Sequence, residues 1–557
     1  MYYPILYYIS RWKYLIVVSF LTVSFLPSLS QTPEFTKQDT LRGTITPERL
    51  WWDLTYYHLD VVPNAADSSL KGSVLVQYTV LEENQLMQID LQEPLKITQV
   101  EQSSKSLEFN RLGNVYYIQL NEEQKIGESY QVHIFYEGYP RISYYPPWDG
   151  GVAWRTDENG NSFIATACQG AGASLWWPCK DHMYDEPDSM LISITAPKDL
   201  TALGNGRLRK VAKNKKDKTQ TFHWFVSNPI NNYGVNMNIG DYVNFSEVYV
   251  GEKGDLDCDY YVLSYNLEKA KEHFKQVPMM LEAFEYWFGP YPFYEDSYKL
   301  VEVPYPGMEH QSSVTYGNGY KNGFGGRDLS YSGWGEKFDF IIIHESGHEW
   351  FANNITYKDV ADMWIHESFI AYSESLFTEY FYGKEAGYEY VRGTRANISN
   401  DKPIIGKYDV NHEGSGDMYP KGANMLHTLR QLVNNDSTWR VLLRGLNSEF
   451  YHQTVTTKQI EDYISAFTGL ELITFFDQYL RDYRIPILEY ELRDKRLKYR
   501  WKNCILEFDM PLKVYLDSKE KWISPTNRWQ WLKLEEDVIS LKVDKNFYVA
   551  KLGLQGE

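Results

Sequence analysis

The sequence predicts a multidomain α+β protein with a β-rich region first, a mainly helical region next and a small β-rich region last. Apolar and polar residues alternate from about residue 45 to 250, the apolar spacing changes to three and four near residue 265, and alternation returns after Pro486. The length of 557 residues fits two to four domains of about 100–200 residues. We therefore expect domains at 31–250, 251–485 and 486–557.

The first thirty residues have the features of a secretory signal peptide, which we expect to span 1–30. Arg11 and Lys13 precede a short apolar run, and Ser28 and Ser30 place small residues at a cleavage site. The alternative is an N-terminal membrane anchor, but the run is shorter than the ~20 residues that a span needs. We predict export to the periplasm or the extracellular space, with no membrane span after cleavage.

Composition limits the partners and the metal chemistry. The formal net charge of -18 argues against nucleic acid, because phosphate backbones select basic surfaces. There are four cysteines, and no two of them form a C-x-x-C pair, so a thiolate zinc site has no support. Cys168 and Cys179 are close enough in sequence to pair, although free buried thiols are equally consistent with the pattern.

Each region has its own hydrophobic period. Residues 72–80, 86–91 and 115–120 alternate apolar and polar side chains, which predicts strands in the first region. Apolar residues at steps of three and four from Leu267 to Phe288 predict a helix that Pro278 kinks or splits. In the last seventy residues, alternating segments such as "PLKVYL" predict one small β-sandwich.

Candidate metal-binding residues lie in the segment "FDFIIIHESGHEWFANN", residues 338–354. His344 and His348 are four residues apart, so a helix places both rings on one face, where they can share a zinc ion at ~2.0–2.1 Å. Such a motif also occurs by chance. The third ligand decides between the two interpretations.

Glu367 is the candidate third ligand. It lies nineteen residues after His348 in "DMWIHESFIAYSESLFTEYF", a second predicted helix. His366 competes for this role, but adjacent residues point ~100° apart on a helix, so only one can face the ion. Two histidines and a glutamate leave the fourth position of zinc open for water, and Glu345 is suited to be the general base on that zinc-bound water. This pattern predicts hydrolysis of an amide or a similar bond.

With these residues in place, the chain resembles the aminopeptidase N / leukotriene hydrolase family of gluzincin zinc metallopeptidases, as a short bacterial-type member. "PYPGMEHQSSVTYG" looks like the family's amine-recognition segment, "MYPKGANMLHTLR" like its catalytic-tyrosine segment, and "WIHESFIAYSES" like its third-ligand helix. The resemblance covers about 45–490 well and the tail more loosely. It implies a saddle-like N-terminal β-sheet domain, a thermolysin-like and mainly α catalytic domain, and a C-terminal β-sandwich.

The resemblance also implies roles for further residues. Glu309, in a segment with Gly307 and Met308, would hold the free α-ammonium of the substrate, which makes cleavage exopeptidic. Gln169 would add a second contact to the amine, and its alternative role is that of a turn residue. Tyr419 would donate its hydroxyl to the oxyanion, whereas a tyrosine on a helix otherwise usually serves packing.

The expected function is a metallo-aminopeptidase with one zinc per chain that hydrolyses the N-terminal bond of peptides. A catalytically silent binding scaffold and an epoxide hydrolase are the alternatives. Two departures from the family pattern stand out. His310 replaces the usual asparagine beside Glu309, and the length leaves no room for the large helical domain of longer relatives, so we expect a more open active site.

Overall fold

The computed structural model describes residues 35–554, and the predicted signal peptide, residues 1–30, lies outside that range. The chain from Lys37 onward forms one compact unit. Two hydrophobic cores hold this unit together. One core lies in the front region and ends with Met308, and the other extends from Leu256 to Tyr548. None of the helices within 35–554 has the length and apolar character needed to cross a membrane.

The front region is built of three sheets and two short helices. An eight-stranded sheet, in the order β13-β14-β11-β1-β2-β8-β4-β5, is accompanied by the four-stranded sheet β12-β15-β10-β9 and the three-stranded sheet β3-β7-β6. The elements are α1 (Lys37–Gly43), α2 (Pro47–Leu50), β1 (Trp52–Asn64), β2 (Ser69–Val80), β3 (Leu86–Asp90), β4 (Lys96–Gln102), β5 (Lys105–Ser106), β6 (Glu108–Leu112), β7 (Val115–Gln119), β8 (Ser129–Gly138), β9 (Gly151–Thr156), β10 (Ser162–Ala167), β11 (Ser189–Pro197), β12 (Thr201–Leu203), β13 (Arg207–Asn214), β14 (Thr219–Val226) and β15 (Asn238–Gly240).

The middle region combines a five-stranded sheet, in the order β16-β17-β18-β20-β19, with nine helices among the described residues. Its strands are β16 (Tyr242–Gly251), β17 (Gly254–Leu263), β18 (Tyr298–Glu302), β19 (Gly307–Met308), β20 (Val314–Tyr316), β21 (Ile355–Tyr357) and β22 (Gln453–Val455). Its helices are α3 (Leu267–His273), α4 (Gln276–Phe288), α5 (Phe340–Gly347), α6 (Trp364–Tyr382), α7 (Lys384–Gly393), α8 (Pro420–Val433), α9 (Asp436–Glu449), α10 (Thr457–Thr468) and α11 (Ile473–Leu480).

The tail consists of two small sheets, β27-β24-β23-β29 and β26-β25-β28. Its strands are β23 (Ile487–Arg493), β24 (Arg496–Lys502), β25 (Leu512–Leu516), β26 (Lys519–Ile523), β27 (Gln530–Lys533), β28 (Leu541–Val543) and β29 (Ala550–Gly553). Its apolar side chains, including Trp501 and Phe508, belong to the same core as the helices of the middle region. The predicted domain boundaries therefore stay predictions.

The predicted order of β-rich, helical and β-rich regions is confirmed. The predicted helix from Leu267 to Phe288 is split, but the break falls at Phe274 and Lys275 rather than at Pro278. Pro278 lies in the first turn of α4, where a missing backbone N–H costs the helix nothing because the first N–H groups have no partner within the helix.

The five-stranded sheet joins the two cores and thereby positions the site. Val301 on β18, Met308 on β19, and Val303 and Tyr305 on the segment between these strands pack in the core of the front region. Tyr305 donates its hydroxyl to the carbonyl of Thr166, at 2.8 Å, and Asn205 donates its amide to the carbonyl of Gln311, at 2.7 Å. The front loop that follows β10 is consequently held against the end of this sheet.

Candidate metal centre

Helix α5 carries His344 and has His348 as its C-cap, and a single aspartate fixes where the helix begins. Asp339 is the N-cap, and its carboxylate accepts hydrogen bonds from the backbone N–H groups of Ile341 and Ile342, at 2.9 and 3.3 Å. An N-cap aspartate satisfies donors that the first turn leaves without partners. The three isoleucines after it are completely buried, so the helix enters the protein interior with its histidines in a fixed orientation.

Three side chains converge beside this helix. Ligand atoms of His344, His348 and Glu367 all lie within 4.8 Å of one another. Glu367 Oε2 is 3.8 Å from His344 Nε2 and 3.5 Å from His348 Nε2. This oxygen is buried and has no hydrogen-bond partner within residues 35–554. A buried carboxylate oxygen without a donor is costly, and a cation held between it and the two imidazoles would satisfy it.

His366, the competing ligand, faces elsewhere. Its Nε2 accepts a hydrogen bond from the backbone N–H of Tyr357, at 3.0 Å, and its ring stacks on the Tyr357 ring with the centroids 4.2 Å apart. The two neighbours on α6 thus diverge, as helix geometry requires. Glu367 turns towards the histidines, and His366 packs against strand β21.

Both histidines are oriented by hydrogen bonds to the ring nitrogen remote from Glu367. His344 Nδ1 lies 2.8 Å from Glu374 Oε1, and the other oxygen of Glu374 accepts the hydroxyl of Tyr390, at 2.7 Å. His348 Nδ1 lies 3.0 Å from the carbonyl of Phe351. The carbonyl of Phe351 only accepts, so His348 Nδ1 carries the hydrogen and its Nε2 presents a lone pair. An ionised Glu374 imposes the same tautomer on His344. This is how metal-ligating histidines are held in general.

The carbonyl that orients His348 is supplied by a break in the helix. After His348 the chain leaves helical geometry, with φ -131° and ψ 93° at Phe351 and φ 147° and ψ -50° at Ala352. A positive φ is unusual for a residue with a side chain and costs of order 1–3 kcal/mol. Thr356 stabilises the bend by donating its hydroxyl to the carbonyl of Ala352, at 2.7 Å.

Burial controls the protonation of the centre. It lowers the pKa of His344 to about 4, so the ring is neutral and able to bind a cation at neutral pH. Burial raises the pKa of Glu367 to about 7 and that of Glu374 to about 8. Burial and then the charge of Glu309 raise the pKa of Glu345 well above its usual value. A cation among these carboxylates would favour their ionised forms.

A second acid stands next to the centre, at the edge of the five-stranded sheet. Glu309 follows β19, and its Oε1 accepts from Gln169 Nε2, at 2.6 Å, and from the hydroxyl of Tyr233, at 3.1 Å. Gln169 Nε2 also donates to Glu367 Oε1, at 2.8 Å. Its amide nitrogen is thus fixed between two carboxylates, and its Oε1 remains as an acceptor.

Gly307 lets the edge strand approach α5 closely. A Cβ atom at this position would lie 2.5 Å from Ile341 Cγ2 and 3.0 Å from Glu345 Cγ, which is closer than atoms pack. Met308, the next residue, is buried in the front core. The main chain of this segment is fixed as well, because Asn353 donates its side-chain amide to the carbonyl of Glu309, at 2.9 Å.

Tyr419 lies directly before α8, at its N-cap position. Its ring is 6.2 Å from that of His344, centroid to centroid, and nearly parallel to it. Burial raises the pKa of its hydroxyl well above 10, and the charges of Glu367 and Glu309 act in the same direction. The hydroxyl therefore stays protonated and remains a donor at the centre.

The predicted residues line one cavity of about 250 Å³. Its walls come from the front region, from β19, from α5 and α6 and from the loop before α8. They are formed by Pro147, Trp148, Gln169, Gly170, Gly307, Met308, Glu309, His344, Glu345, His348, Glu367, Glu413 and Tyr419. The cavity thus brings together every site residue that the sequence predicts, and it is strongly acidic.

His310 and the cysteines stand apart from this chemistry. His310 is completely buried, its Nδ1 lies 3.2 Å from the hydroxyl oxygen of Thr315, and burial lowers its pKa to about 3. It is not among the residues that line the cavity. Cys168 and Cys179 are free, buried thiols, so the alternative of a disulfide between them is not observed.

Sequence reasoning did not identify Glu374, Tyr233, Trp148 or Glu413. Glu374 had a usable signal, because it lies seven residues after Glu367 on one helix, and residues seven apart share a face. Tyr233, Trp148 and Glu413 lie on separate loops whose approach to the centre depends on the tertiary fold. No local pattern marks them.

Comparison with known proteins identifies the family. The model of the peptidase family M1 domain matches residues 272–479, and the model of the peptidase M1 N-terminal domain matches residues 54–233. Together the two models account for more than half of the chain. The first covers both histidines and Glu367, and the second covers the loop that carries Gln169.

Curated relatives are distant and longer. Endoplasmic reticulum aminopeptidase 1 of Mus musculus is 23% identical over 358 residues, which cover 61% of this chain and 36% of that protein. Aminopeptidase B of Mus musculus is 24% identical over 351 residues, 58% and 49% of the two chains. Leukotriene A-4 hydrolase of Xenopus laevis is 22% identical over 321 residues, 55% and 50%. The chain spans about a third to a half of the length of these relatives.

Solved structures share the fold over almost their whole length. An M1 zinc metallopeptidase mutant of Deinococcus radiodurans, bound to a Tyr-Ser-Ala substrate, superimposes with a TM-score of 0.67 at 18% identity and covers 79% of this chain and 96% of its own. The same metallopeptidase without that substrate gives a TM-score of 0.65 at 19% identity, with 78% and 94% covered. The matched family models and this shared fold show that the chain belongs to peptidase family M1.

Proposed function

We propose that this chain is a zinc-dependent aminopeptidase that removes the first residue from peptides with a free N-terminus. The observation that carries the proposal is the convergence of His344, His348 and the orphaned oxygen of Glu367 beside a buried glutamate, Glu345. Membership of a peptidase family supports it, as do the relatives that are named aminopeptidases. Glu309, which Gln169 links to Glu367, would bind the substrate ammonium and so restrict cleavage to the end of the chain.

The cofactor is zinc. Two imidazole nitrogens and one carboxylate oxygen form the donor set of catalytic zinc sites, and the orphaned buried oxygen of Glu367 is the sign that the set fits a cation. The structural relatives are zinc metallopeptidases by name. Bound here, zinc supplies a Lewis acid that lowers the pKa of a water towards ~7 and polarises a carbonyl.

Glu345 moves the proton in this proposal. It directly follows His344 on α5 and lines the same cavity, so its carboxylate can take a proton from the attacking water. The same side chain then delivers the proton to the leaving amine. Burial raises its pKa, which favours the protonated form that the second step needs.

Glu309 and Gln169 select the end of the substrate chain. An α-ammonium has only donors, so it requires acceptors in a partly dry cleft. Glu309 offers a carboxylate, and Gln169 offers the amide oxygen that remains after its nitrogen has donated to Glu309 and Glu367. Because this anchor and the metal ligands line one small cavity, only the first peptide bond can reach the centre while the ammonium is held.

Tyr419 stabilises the oxyanion that forms when water adds to the carbonyl. Its hydroxyl stays protonated at neutral pH, and its ring lies beside that of His344. A donor fixed before the reaction costs no reorganisation when negative charge develops, which is why such donors have large effects on rate.

We propose in addition that the protein is exported. The support comes from the sequence of residues 1–30, where Arg11 and Lys13 precede an apolar run and a small-residue cleavage site. Export would bring the enzyme to peptides outside the cytoplasm, in keeping with peptides as its substrates.

The function is tested with a short unblocked peptide. We expect the purified protein to release only the first residue, a zinc chelator to stop the release, and added Zn²⁺ to restore it. The same peptide with an N-acetyl group should remain intact, because acetylation removes the charge that Glu309 binds. Equal cleavage of the acetylated peptide would contradict the exopeptidase proposal, and stoichiometric zinc without any turnover would indicate a binding scaffold.

The base is tested with Glu345→Gln, which keeps the shape of the side chain and removes its ability to take a proton. We expect zinc content close to that of the wild type and a kcat lower by about 10²–10⁴-fold, the usual contribution of general acid–base catalysis. Zinc content is measured by elemental analysis and kcat with the same peptide. Wild-type turnover in this variant would remove Glu345 from the mechanism.

The oxyanion donor is tested with Tyr419→Phe, which removes only the hydroxyl. We expect kcat to fall about 10²–10³-fold with little change in KM, because the donor acts on charge that exists only in the transition state. Steady-state kinetics with one peptide substrate separates the two parameters. A rise in KM at unchanged kcat would instead make Tyr419 a substrate-binding residue.

The hydrogen bond between Glu374 and His344 is tested with Glu374→Ala and Glu374→Gln. The alanine variant loses the acceptor that orients His344, and we expect its zinc affinity to fall about 10–100-fold. The glutamine variant keeps an acceptor oxygen and should fall less. Zinc affinity is measured by competition with a chromophoric chelator. Equal affinities for wild type and Glu374→Ala would contradict an orienting role.

A further inference from the structure

The catalytic cavity contains one more negative charge than the proposed function uses. Four carboxylates line it, and no lysine or arginine is among its lining residues. Glu367 is a metal ligand, Glu345 is the base and Glu309 binds the α-ammonium. A divalent ion and one ammonium together bring three positive charges against four negative ones. The charge of Glu413 is therefore unmatched.

Glu413 follows a stretch of loop that is held by two hydrogen bonds. The backbone N–H of Asp409 donates to the carboxylate of Asp359, at 2.9 Å. The side-chain amide of Asn411 donates to the carbonyl of Gly170, at 3.2 Å, beside Gln169. Glu413 itself is exposed, and no lysine, arginine or histidine of residues 35–554 forms an ion pair with it. The loop holds an accessible carboxylate at a defined place.

A second unexplained feature lies at the same cavity. Residues 143–150, "SYYPPWDG", form a projecting loop that we call the aromatic arm. Tyr144, Tyr145 and Trp148 are 68%, 76% and 72% exposed, and Trp148 is also a wall of the cavity. Neighbouring aromatic rings left in water typically mark a surface that a ligand covers. Here the surface continues into the catalytic cavity through Trp148, so a substrate in that cavity would contact it.

The aromatic arm is held rigid by its own polar groups. The Asp149 carboxylate accepts hydrogen bonds from the hydroxyl of Ser143 and from the backbone N–H groups of Tyr144 and Tyr145, the latter two at 2.7 and 3.0 Å. The guanidinium of Arg155 donates to the carbonyl of Tyr144, at 3.1 Å. A ring that is positioned before binding loses little entropy on binding, so its contact adds efficiently to affinity.

The aromatic arm also packs against the loop that holds the substrate amine. Gly150 has φ 65°, and a Cβ there would lie 2.5 Å from the Cβ of Ala171. Ala171 is two residues from Gln169, and its backbone N–H donates to the carbonyl of Gln169, at 2.6 Å. Trp148 and the amine contact are thus parts of one packed assembly. The side chain of a residue whose ammonium binds at Gln169 would therefore lie close to the aromatic arm.

We propose that Glu413 and Trp148 form a subsite for a basic side chain on the first residue of the substrate, an inference that rests on the proposed aminopeptidase function. A long cationic side chain lays its apolar stem along the indole and places its charge between the ring and the carboxylate. Cavities of about 300–1,000 Å³ hold drug-sized ligands, so the present one, of about 250 Å³, holds little more than one residue. Glu413 and Trp148 are then specificity-determining residues for arginine and lysine at that position.

The substrates for the test are the 4-nitroanilides of arginine, citrulline and alanine. Citrulline has the shape of arginine without its charge, so it isolates the ion pair from size. We expect wild-type kcat/KM for the arginine substrate to exceed that for the citrulline substrate about tenfold, and the difference to shrink at high salt. Equal kcat/KM for these two substrates in an enzyme that hydrolyses the alanine substrate would overturn the inference and leave the proposed function intact.

Variants assign the preference to the two residues. In Glu413→Gln we expect the arginine-to-citrulline ratio to fall about tenfold, towards one. In Trp148→Ala the arginine-to-alanine ratio should fall about three- to tenfold, and Trp148→Phe should restore part of it, because the ring face is retained. Tyr331, which is 71% exposed and does not line the cavity, provides the control variant Tyr331→Ala with wild-type ratios. Unchanged ratios in Glu413→Gln and Trp148→Ala would overturn the subsite.

Binding without turnover separates the two proposals. If none of the three substrates is hydrolysed, the proposed function fails, and calorimetric titration of the zinc-loaded protein with arginine amide and citrulline amide then decides about the subsite. Tighter binding of arginine amide that is lost in Glu413→Gln would support it. Equal binding of the two amides would overturn it.

Discussion

The centre depends on buried carboxylates that the protein does not neutralise from within. Glu309, Glu345 and Glu367 all lie at one cavity and are less than a tenth exposed, and no lysine or arginine lines that cavity. Taking a carboxylate out of water costs several kcal/mol unless a partner compensates. Under the proposed function, the missing positive charge comes from the metal ion and the ammonium of the substrate. The acidic cavity therefore favours the binding of cations.

A carboxylate cluster alone would bind cations without chemical selectivity, and the layer around it supplies the geometry. Each histidine is oriented by a hydrogen bond that its Nδ1 donates, to the buried Glu374 in one case and to the carbonyl of Phe351 in the other. That carbonyl points inwards because the helix breaks after His348, at the cost of a positive φ at Ala352. Strain at a functional site persists when surrounding contacts fix it, as the hydrogen bond from Thr356 does here.

The sequence predicts those parts of the site that depend on local helical geometry. Helical spacing alone places His344 and His348 on one face, and the same rule separates Glu367 from His366. The structure has this arrangement, which depends only on local helical geometry. The roles of Gln169, Glu309 and Tyr419 were predicted only from the family resemblance. These residues are far apart in the sequence, and their spacing does not show that they lie close together in the fold. Their positions follow from the sheet that joins the two cores.

The one wrong prediction and the omissions have different origins. The break between α3 and α4 falls before Pro278 because a proline is tolerated in the first turn of a helix, so the residue marks a helix start there. Trp148 and Glu413 were missed because each lies on a loop whose neighbours in space are far away in sequence. Loops carry no hydrophobic period, and only their packing shows what they face.

This division between helices and loops bears on how the enzyme distinguishes substrates. The proposed metal ligands and base lie on α5, at its C-cap and on α6, where a shift of one residue would rotate a side chain by about 100° away from the centre. The geometry of these helices cannot change without loss of catalysis. Trp148, on the aromatic arm, and Glu413, on the loop before α8, are held by hydrogen bonds of their own loops. They can change while the catalytic geometry is kept, so selection among first residues is expected to reside on these loops rather than on the helices that carry the metal.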